Sequence, residues 1–153
     1  KRKEMGKINI ISDGIYLTDK KVIKNDKGNI RHIIDKNDSH FYGFSEAYFT
    51  EINKNEIKGW KKHTKMTVNL MVCFGSVEFI IYDDRNANNN QIGKYFSVPI
   101  SSYENKRITI QPNIWFAFKN LNKSTSMIIN ISDESHDPLE SINKSFEEIP
   151  LPN

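Results

Sequence analysis

The segment Ile57–Arg85 limits the fold of this chain most strongly. Within it, Met66–Asp83 is a long run of β-branched and apolar residues, interrupted once by Phe74-Gly75-Ser76. β-Branched residues favour strands, and a glycine between two such runs is typical of a tight turn. The segment therefore predicts two strands, and we expect them to pair as a β-hairpin.

Short apolar runs separated by turn residues continue along the rest of the chain. No apolar 3.6-residue period extends over three turns before residue 138, so the only predicted helix is a short one over Pro138–Phe146. Arg85–Gln91 is predicted to be a polar loop. The pattern predicts an all-β sandwich or closed barrel of the jelly-roll type. The further predicted strands are Ile8–Ile11, Ile15–Leu17, Val22–Ile23, Phe41–Ile52, Tyr95–Ile100, Arg107–Ile110, Ile114–Phe118 and Met127–Ile131.

The length of 153 residues suits one domain with one sizeable core. The mean hydropathy of -0.61 is polar, but nine Phe, six Tyr and two Trp supply large side chains for that core. We expect residues 1–153 to form a single barrel domain, with a flexible N-terminus over residues 1–7 and a C-terminal segment over residues 138–153.

Cysteine content and charge exclude several classes of protein. The only cysteine, Cys73, has no partner thiol, which excludes a disulfide framework and favours a reducing compartment. No apolar stretch reaches the roughly 18 residues of a membrane helix, and no signal peptide is recognisable. The net charge of +3 comes from scattered lysines that form no basic stripe. We therefore expect a cytoplasmic protein without a nucleic-acid or membrane partner.

Several short motifs follow one another in an order that resembles the dTDP-4-dehydrorhamnose 3,5-epimerase family and the related dTDP-sugar 3,4-ketoisomerases. The likeness covers about residues 20–140, and it depends on the order of the motifs more than on any one of them. The motifs are Asp26–His32, Glu46–Phe49, Lys58–His63, Gly75, Tyr82–Arg85 and Ile110–Trp115.

The resemblance implies a cupin-like double-stranded β-helix, usually a homodimer, that holds a dTDP-linked 4-keto sugar in the mouth of its barrel. It implies no metal or redox cofactor. The chemistry of the family is removal of a proton beside the ketone, followed by reprotonation of the enolate. Such a site needs a general base, a proton donor and a group that stabilises the enolate oxygen.

The catalytic base is the point at which this sequence departs from the family. The family's histidine, two residues after the motif glycine, corresponds to Lys61 here, and only the next alternate residue, His63, is a histidine. Lys61 is a candidate base if burial and the neighbouring Lys62 favour its neutral amine. His63 is the second candidate, because the ordinary pKa of histidine is about 6.5. In the third alternative neither residue removes a proton.

Other candidate site residues follow from strand alternation and from the resemblance. Tyr82 and Asp84 fall on one face of a predicted strand, which would bring the Asp84 carboxylate near His63 as a third catalytic candidate; a structural pair of aspartate and Arg85 is the alternative. Lys27 stands where the family uses an arginine against the nucleotide phosphates. The candidate substrate-binding residues are Lys27, Arg31, Lys58, Asn69, Tyr82 and Trp115, where Trp115 is either a stacking platform or a core residue.

The remaining departures concern groups that the family uses around its base. Phe116, Ala117 and Phe118 are apolar where relatives carry a histidine or asparagine before a Gly-Phe pair. No tyrosine in Met127–Ile131 can take the role of the proton donor. Glu147 or Glu148 is the expected carboxylate that orients the base. The residues Lys61–Lys65 lack the first histidine and the glutamate of a metal-binding cupin, so we expect no metal.

Two hypotheses of different classes follow. The first is a nucleotide-sugar epimerase or isomerase that acts on a 4-keto-deoxy sugar in surface-polysaccharide biosynthesis, including lipopolysaccharide. The second is a non-catalytic cupin-like protein that binds a nucleotide sugar or serves as a scaffold after losing the usual base. A metal-dependent cupin oxygenase is disfavoured by the missing ligands.

Overall fold

The computed structural model describes residues 6–88 and 92–153, and nearly all of the regular structure in them is β. Two antiparallel sheets face each other, one with six strands in the order β1-β2-β10-β7-β12-β5 and one with five in the order β13-β6-β11-β8-β9. Strands β3 and β4 form a separate two-stranded ribbon. The all-β jelly-roll barrel that the sequence predicts is thus confirmed.

Thirteen strands and one 3-10 helix make up the regular elements of the described residues. The 3-10 helix covers Ser102–Glu104. The strands are β1 (Ile8–Ser12), β2 (Ile15–Asp19), β3 (Val22–Ile23), β4 (Ile30–Arg31), β5 (Glu46–Ile52), β6 (Ile57–His63), β7 (Val68–Phe74), β8 (Ser76–Asp83), β9 (Lys94–Ser101), β10 (Lys106–Ile110), β11 (Trp115–Asn120), β12 (Ser126–Ser132) and β13 (Ser141–Asn143).

Strands β7 and β8 do not form the hairpin that the sequence predicts. They follow each other at Gly75, but β7 pairs with β10 and β12, while β8 pairs with β9 and β11 in the other sheet. The physical reason is that each strand buries its alternate apolar side chains against the opposite sheet. The main core therefore includes one such row from each strand, Val68, Leu70 and Val72 from β7 and Val77, Phe79 and Ile81 from β8.

The outer face of the five-stranded sheet carries a second apolar cluster, which the C-terminal segment covers. Trp60, Trp115 and Ala117 are buried there with Ile149. The Trp60 Nε1–H donates to the carbonyl oxygen of Ile149 at 2.8 Å. Because the segment lies along the sheet, the indole nitrogen gains a partner away from water.

The helix predicted over Pro138–Phe146 is wrong. Pro138–Glu140 forms a turn, and the next three residues form the edge strand β13, which pairs with β6 from Ser141↔His63 to Asn143↔Lys61. The backbone bonds of this short stretch go to the sheet, so three residues are enough to define a strand where a helix would need several turns.

The chain between β4 and β5 covers part of the outer face of the six-stranded sheet, around β10. Arg107 on β10 is fully buried, and its Nη1 donates to the Asp38 carboxylate at 2.7 Å and to the carbonyl oxygen of Ile33 at 2.8 Å. Lys20 Nζ also donates to Asp38 at 2.7 Å. This ion-pair group fastens the connection to the sheet.

Two sequence predictions fall partly beyond the described residues. Positions 89–91 of the predicted polar loop and positions 1–5 of the predicted flexible N-terminus lie outside the residues that the structure describes. Within residues 6–88 and 92–153, no helix has the length and apolar character needed to cross a membrane.

Candidate functional site

A cavity of about 250 Å³ opens between the two sheets. It is suited in size to a group such as a sugar ring, since sites that enclose drug-sized ligands measure about 300–1,000 Å³. Its walls combine cationic, aromatic and amide side chains with the aliphatic core. The lining residues are Tyr48, Thr50, Lys58, Gly59, Lys61, His63, Val68, Leu70, Phe116, Phe118, Asn130 and Asn143.

His63, at the end of β6, is buried with only 7% of its surface exposed. Its Nδ1 lies 2.7 Å from Glu140 Oε2, a residue 77 positions later in the chain and itself buried. The imidazole also stacks on the Phe116 ring, with the ring centroids 5.8 Å apart. The apolar Phe116, where the resemblance led us to expect a polar group, therefore supports the histidine ring.

Glu140 is held as a carboxylate by three hydrogen bonds. Besides the contact with His63, its Oε1 accepts the backbone N–H groups of Lys65 at 2.9 Å and Met66 at 2.8 Å. Burial alone would raise the pKa of Glu140, but the hydrogen bonds from His63, Met66 and Lys65 outweigh it, and the pKa lies below its ordinary value. The side chain is therefore an anion at neutral pH.

A carboxylate at Nδ1 determines which nitrogen of His63 is available for chemistry. Glu140 can only accept at this contact, so Nδ1 carries the hydrogen in the neutral ring. Nε2 is then the basic nitrogen, and no hydrogen bond within the described residues involves it. A buried imidazole oriented in this way can take a proton from a group held in the cavity.

Two cationic side chains lie in the same cavity. Lys58 and Lys61 both line it, and Lys58 Nζ donates to the carbonyl oxygen of Glu51 at 3.2 Å. Lys62, by contrast, points to the opposite face of β6, with its ammonium 4.7 Å from the centre of the Trp115 ring. Lys62 is therefore not the cavity neighbour that the lysine-base alternative requires. Lys58 and Lys61 instead make the cavity attractive to an anionic group.

The opposite wall, on the six-stranded sheet, presents an amide and a phenol. Asn130 on β12 is paired in register with Tyr48 on β5 and Leu70 on β7. Asn130 Nδ2 donates to the Tyr48 hydroxyl oxygen at 2.9 Å. His63 and Tyr48 thus stand on different sheets with the cavity between them, which gives the site polar groups on two sides.

Asp84, Tyr82 and Trp115 do not share this cavity. Tyr82 packs on the outer face of the five-stranded sheet, 6.4 Å from Trp60 between ring centres, and Trp115 is buried in the same outer cluster. Asp84 Oδ2 accepts the Trp115 Nε1–H at 3.2 Å. The expectation that Asp84 lies near His63 is corrected, because strand alternation turns Tyr82 and Asp84 to the opposite side of the sheet.

Asn69, Lys27 and Arg31 also lie away from the cavity. Asn69 faces outward from β7, where its Oδ1 accepts the Thr109 hydroxyl at 2.6 Å and its Nδ2 donates to the carbonyl oxygen of His40. Lys27 is exposed in the turn between β3 and β4, and Arg31 on β4 is exposed and donates to the carbonyl oxygen of Ser102. Of the predicted site residues, the cavity brings together His63, Lys61 and Lys58.

Three residues of the site, Glu140, Tyr48 and Asn130, were not predicted from the sequence. Glu147 and Glu148, the expected orienting carboxylates, are both exposed, and Glu148 accepts the backbone N–H of Ser145 at 2.7 Å. Tyr48 could have been found, because its alternation with Ala47 and Phe49 assigns it to one face of a strand. Asn130 is the single amide in the apolar run Met127–Ile131. No sequence pattern around Glu140 indicated a role in the site.

No group of three or more His, Cys, Asp or Glu side chains within residues 6–88 and 92–153 is arranged to hold a metal ion. A wider depression of about 570 Å³ is lined by residues such as Asp13, Asp83, Arg85 and Lys94. Its Asp83 and Arg85 side chains are already paired with each other at 2.9 Å. The smaller cavity is lined by His63, which is paired with the buried Glu140, and it is therefore the candidate site.

Known proteins resemble this chain in three-dimensional structure, whereas searches with its sequence find no match. No family model matches the chain, and no curated protein sequence does so either. Among solved structures, a dTDP sugar isomerase from Desulfovibrio desulfuricans G20 is 25% identical over 92% of this chain and 90% of its own, with a TM-score of 0.83.

Two epimerases are similar in structure at lower identity. A dTDP-4-dehydrorhamnose 3,5-epimerase from Sulfolobus tokodaii is 17% identical over 97% of this chain and 86% of its own, with a TM-score of 0.82. A dTDP-6-deoxy-D-glucose-3,5-epimerase from Legionella pneumophila Philadelphia 1, solved with dTDP-4-keto-L-rhamnose, is 14% identical over 95% of this chain and 83% of its own, with a TM-score of 0.80. The resemblance in the sequence is thus confirmed for the fold, which is that of these sugar-nucleotide enzymes.

Proposed function

We propose that this protein is a nucleotide-sugar epimerase or isomerase that removes and returns a proton beside the ketone of a 4-keto-deoxy sugar. The observation that carries the proposal is the buried His63–Glu140 pair, 2.7 Å apart. His63 lines the cavity, and the fold is shared with a dTDP sugar isomerase and with dTDP-sugar epimerases. A histidine fixed by a carboxylate is a recurrent general base.

His63 is the base in this mechanism. Its Nε2 takes the proton from a sugar carbon next to the ketone, and Glu140 stabilises the resulting imidazolium. The ammonium of Lys61 in the same cavity stabilises the negative charge that develops on the enolate oxygen. Tyr48 lines the same cavity from the opposite sheet, so its hydroxyl can return a proton to the other face of the sugar. Solvent then reprotonates the phenolate and takes the proton from the imidazolium.

The ligand is a nucleotide-linked sugar, and a dTDP-sugar is the first candidate, because the structural neighbours include an epimerase solved with dTDP-4-keto-L-rhamnose. The cavity of about 250 Å³ takes the sugar ring, and Lys58 attracts the diphosphate. No metal or redox cofactor enters the reaction that we propose. The product would serve surface-polysaccharide biosynthesis, with lipopolysaccharide as one destination.

The test is solvent exchange at the sugar. The protein is incubated in heavy water with dTDP-4-keto-6-deoxyglucose, and NMR follows deuterium uptake at carbons 3 and 5. We expect uptake at one or both carbons, loss of at least 100-fold in its rate for His63→Ala, and slower but still measurable uptake for Lys61→Ala, which loses the enolate-stabilising charge and keeps the base.

Two outcomes would contradict parts of this proposal. Uptake that survives in His63→Ala but disappears in Lys61→Ala would make the lysine the base. Measurable dTDP binding without uptake on any nucleotide-linked keto sugar would favour the alternative function, a non-catalytic protein that binds nucleotide sugars or acts as a scaffold.

The assembly that we propose is a homodimer in the cytoplasm. Its support is an apolar patch on the outer face of the six-stranded sheet, where Phe49 is 63% and Phe74 is 59% exposed, beside Met127 and Ile129 on the paired strand. Contiguous exposed apolar side chains are typical of an interface.

Sedimentation velocity should give a dimer for the wild type and a monomer for Phe49→Glu. The control is Tyr103→Glu, because Tyr103 is an exposed aromatic residue of the 3-10 helix and its replacement should leave the dimer intact. A monomeric wild type would refute the dimer.

A further inference from the structure

The Asn130 side chain has an unused polar atom within the candidate site. Asn130 is only 2% exposed, and it lines the cavity together with Tyr48 and Leu70, its neighbours across the sheet. Its Nδ2 is occupied by the Tyr48 hydroxyl at 2.9 Å. Its Oδ1 is buried and has no hydrogen-bond partner within the described residues.

An amide oxygen buried without a partner costs free energy that a bound group can restore by donating a hydrogen bond. The alternation of β12 explains why this side chain lies on the cavity wall. Ile128 is part of the main core on the inner face, and Asn130, two residues later, lies on the same face. A leucine would fill the same space without the cost, so the carboxamide suits a ligand more than it suits the fold.

The ligand chemistry follows from the character of the atom. Oδ1 can only accept a hydrogen bond. In a 4-keto-6-deoxy hexose, the ketone and the ring oxygen cannot donate, carbon 6 carries no hydroxyl, and carbon 1 is linked to the diphosphate. The hydroxyls at carbons 2 and 3 are therefore the donors that such a ring offers.

We propose that Asn130 is a specificity-determining residue, whose Oδ1 accepts a hydrogen bond from the hydroxyl at carbon 2 or carbon 3 of the sugar. This inference rests on the proposed function, since it needs a nucleotide-linked sugar in the cavity. The contact lies on the wall opposite His63, so it holds the ring from the side away from the base and rejects sugars that lack that hydroxyl.

The test uses stable ligands that cannot react. Isothermal titration calorimetry measures the affinity of the wild type for dTDP, for dTDP-6-deoxyglucose and for the 2-deoxy and 3-deoxy forms of that sugar nucleotide. We expect one of the two deoxy forms to bind about tenfold more weakly than dTDP-6-deoxyglucose, in line with one lost hydrogen bond to a buried group. The same measurements on Asn130→Leu should show no such difference, with the affinity for dTDP itself unchanged.

Asn130→Leu should fold, because leucine has a similar size and removes an unpaired buried atom, while Tyr48, 41% exposed, can still bond to water. Asn130→Val is measured in the same way if the leucine variant does not fold. Thr50→Val is the matched control, since Thr50 lines the same cavity from β5. It should keep the preference for the full set of hydroxyls.

The outcomes separate this inference from the proposed function. A wild type that binds dTDP-6-deoxyglucose but treats both deoxy forms alike would overturn the role of Asn130. So would an Asn130→Leu variant that keeps the preference of the wild type. A wild type that binds neither dTDP nor dTDP-6-deoxyglucose would instead refute nucleotide-sugar binding, and the inference would fall with it.

Discussion

Glu140 joins the turn after β12 to the candidate base through a single carboxylate. One oxygen accepts from His63 and the other accepts the backbone N–H groups of Lys65 and Met66. Glu140 therefore has two roles: it orients the imidazole of His63, and it holds the loop between β6 and β7 in position. Both can be tested by replacing the carboxylate with an amide of the same shape.

At the scale of this residue, we predict that Glu140→Gln lowers the rate of deuterium uptake at the sugar by about 10²–10⁴-fold. The amide can offer its nitrogen, a donor, to Nδ1 and thereby favour the other tautomer of the imidazole. NMR exchange with dTDP-4-keto-6-deoxyglucose measures the rate. Glu147→Gln is the matched control, because Glu147 is an exposed glutamate of the C-terminal segment. Equal rates for the two variants would contradict the role of Glu140.

At the scale of elements, the close approach of β6 to β11 depends on Gly59. A Cβ at this position would lie 2.5 Å from Ala117 Cβ and 2.9 Å from Ala117 Cα, at a φ of +154°. Two strands of one sheet would have to separate beside Lys58 and Lys61, which line the cavity. The glycine of the Lys58–His63 motif therefore has a packing function as well as a place in a family pattern.

We predict that Gly59→Ala lowers the free energy of unfolding by about 2–4 kcal/mol, from a forced contact added to backbone strain. Gly28→Ala is the control, since Gly28 also has a positive φ, +135°, but has nothing within 4 Å of the added Cβ. Its cost should be on the order of 1 kcal/mol. Urea unfolding measures the free energy of unfolding of both variants. Equal losses would show that the contact with Ala117 does not contribute to the destabilisation.

At the scale of the whole molecule, paired carboxylates make stability depend on pH. The pKa of Asp38 is lowered: burial would raise it, but hydrogen bonds from Lys20, the Asp35 backbone and Arg107 outweigh burial. The pKa values of Asp83 and Glu140 are lowered in the same way, by hydrogen bonds from Arg85 and His63 that exceed the effect of burial. Asp133 acts in the opposite direction, because burial raises its pKa.

The directions of these pKa shifts determine whether the protein gains or loses stability as the pH falls. A carboxyl group with a lowered pKa in the folded state takes up its proton more readily in the unfolded chain. Its contribution is therefore complete above about pH 4, the ordinary carboxyl value, and is lost as the pH falls toward the folded-state pKa. We predict that the free energy of unfolding falls steadily below about pH 4, as measured by urea unfolding between pH 7 and pH 2.5.

Asp38→Asn tests the ion-pair group that Asp38 forms with Lys20 and Arg107. It leaves the fully buried Arg107 without its carboxylate, so we expect a loss on the order of 3 kcal/mol at pH 7 and a shallower decline in acid. Asp26→Asn, at an exposed turn position, should change neither quantity. An Asp38→Asn variant with the same acid slope as the wild type would contradict this account.

The sequence by itself determined the strands and the fold class, because alternation, turn residues and apolar runs are local properties. The runs at Ile8–Ile11, Tyr95–Ile100 and Met127–Ile131 all became strands. Local patterns do not name a strand's partner, so the hairpin between β7 and β8 was predicted where the structure puts the two strands in different sheets. Pairing depends on which apolar faces meet across the core.

Only part of the candidate site could be predicted from the sequence. His63, Lys61 and Lys58 lie within one motif, and a single strand delivers them to the cavity. Glu140 is 77 residues from His63, and Asn130 and Tyr48 belong to the opposite sheet. Asp84 shows the reverse case, since the sequence predicted it near His63 but its carboxylate lies on the outer side of the five-stranded sheet, against Trp115. Only the tertiary structure determines which polar groups from distant parts of the chain share one cavity, because burial and hydrogen bonding depend on distance in space and not on distance along the sequence.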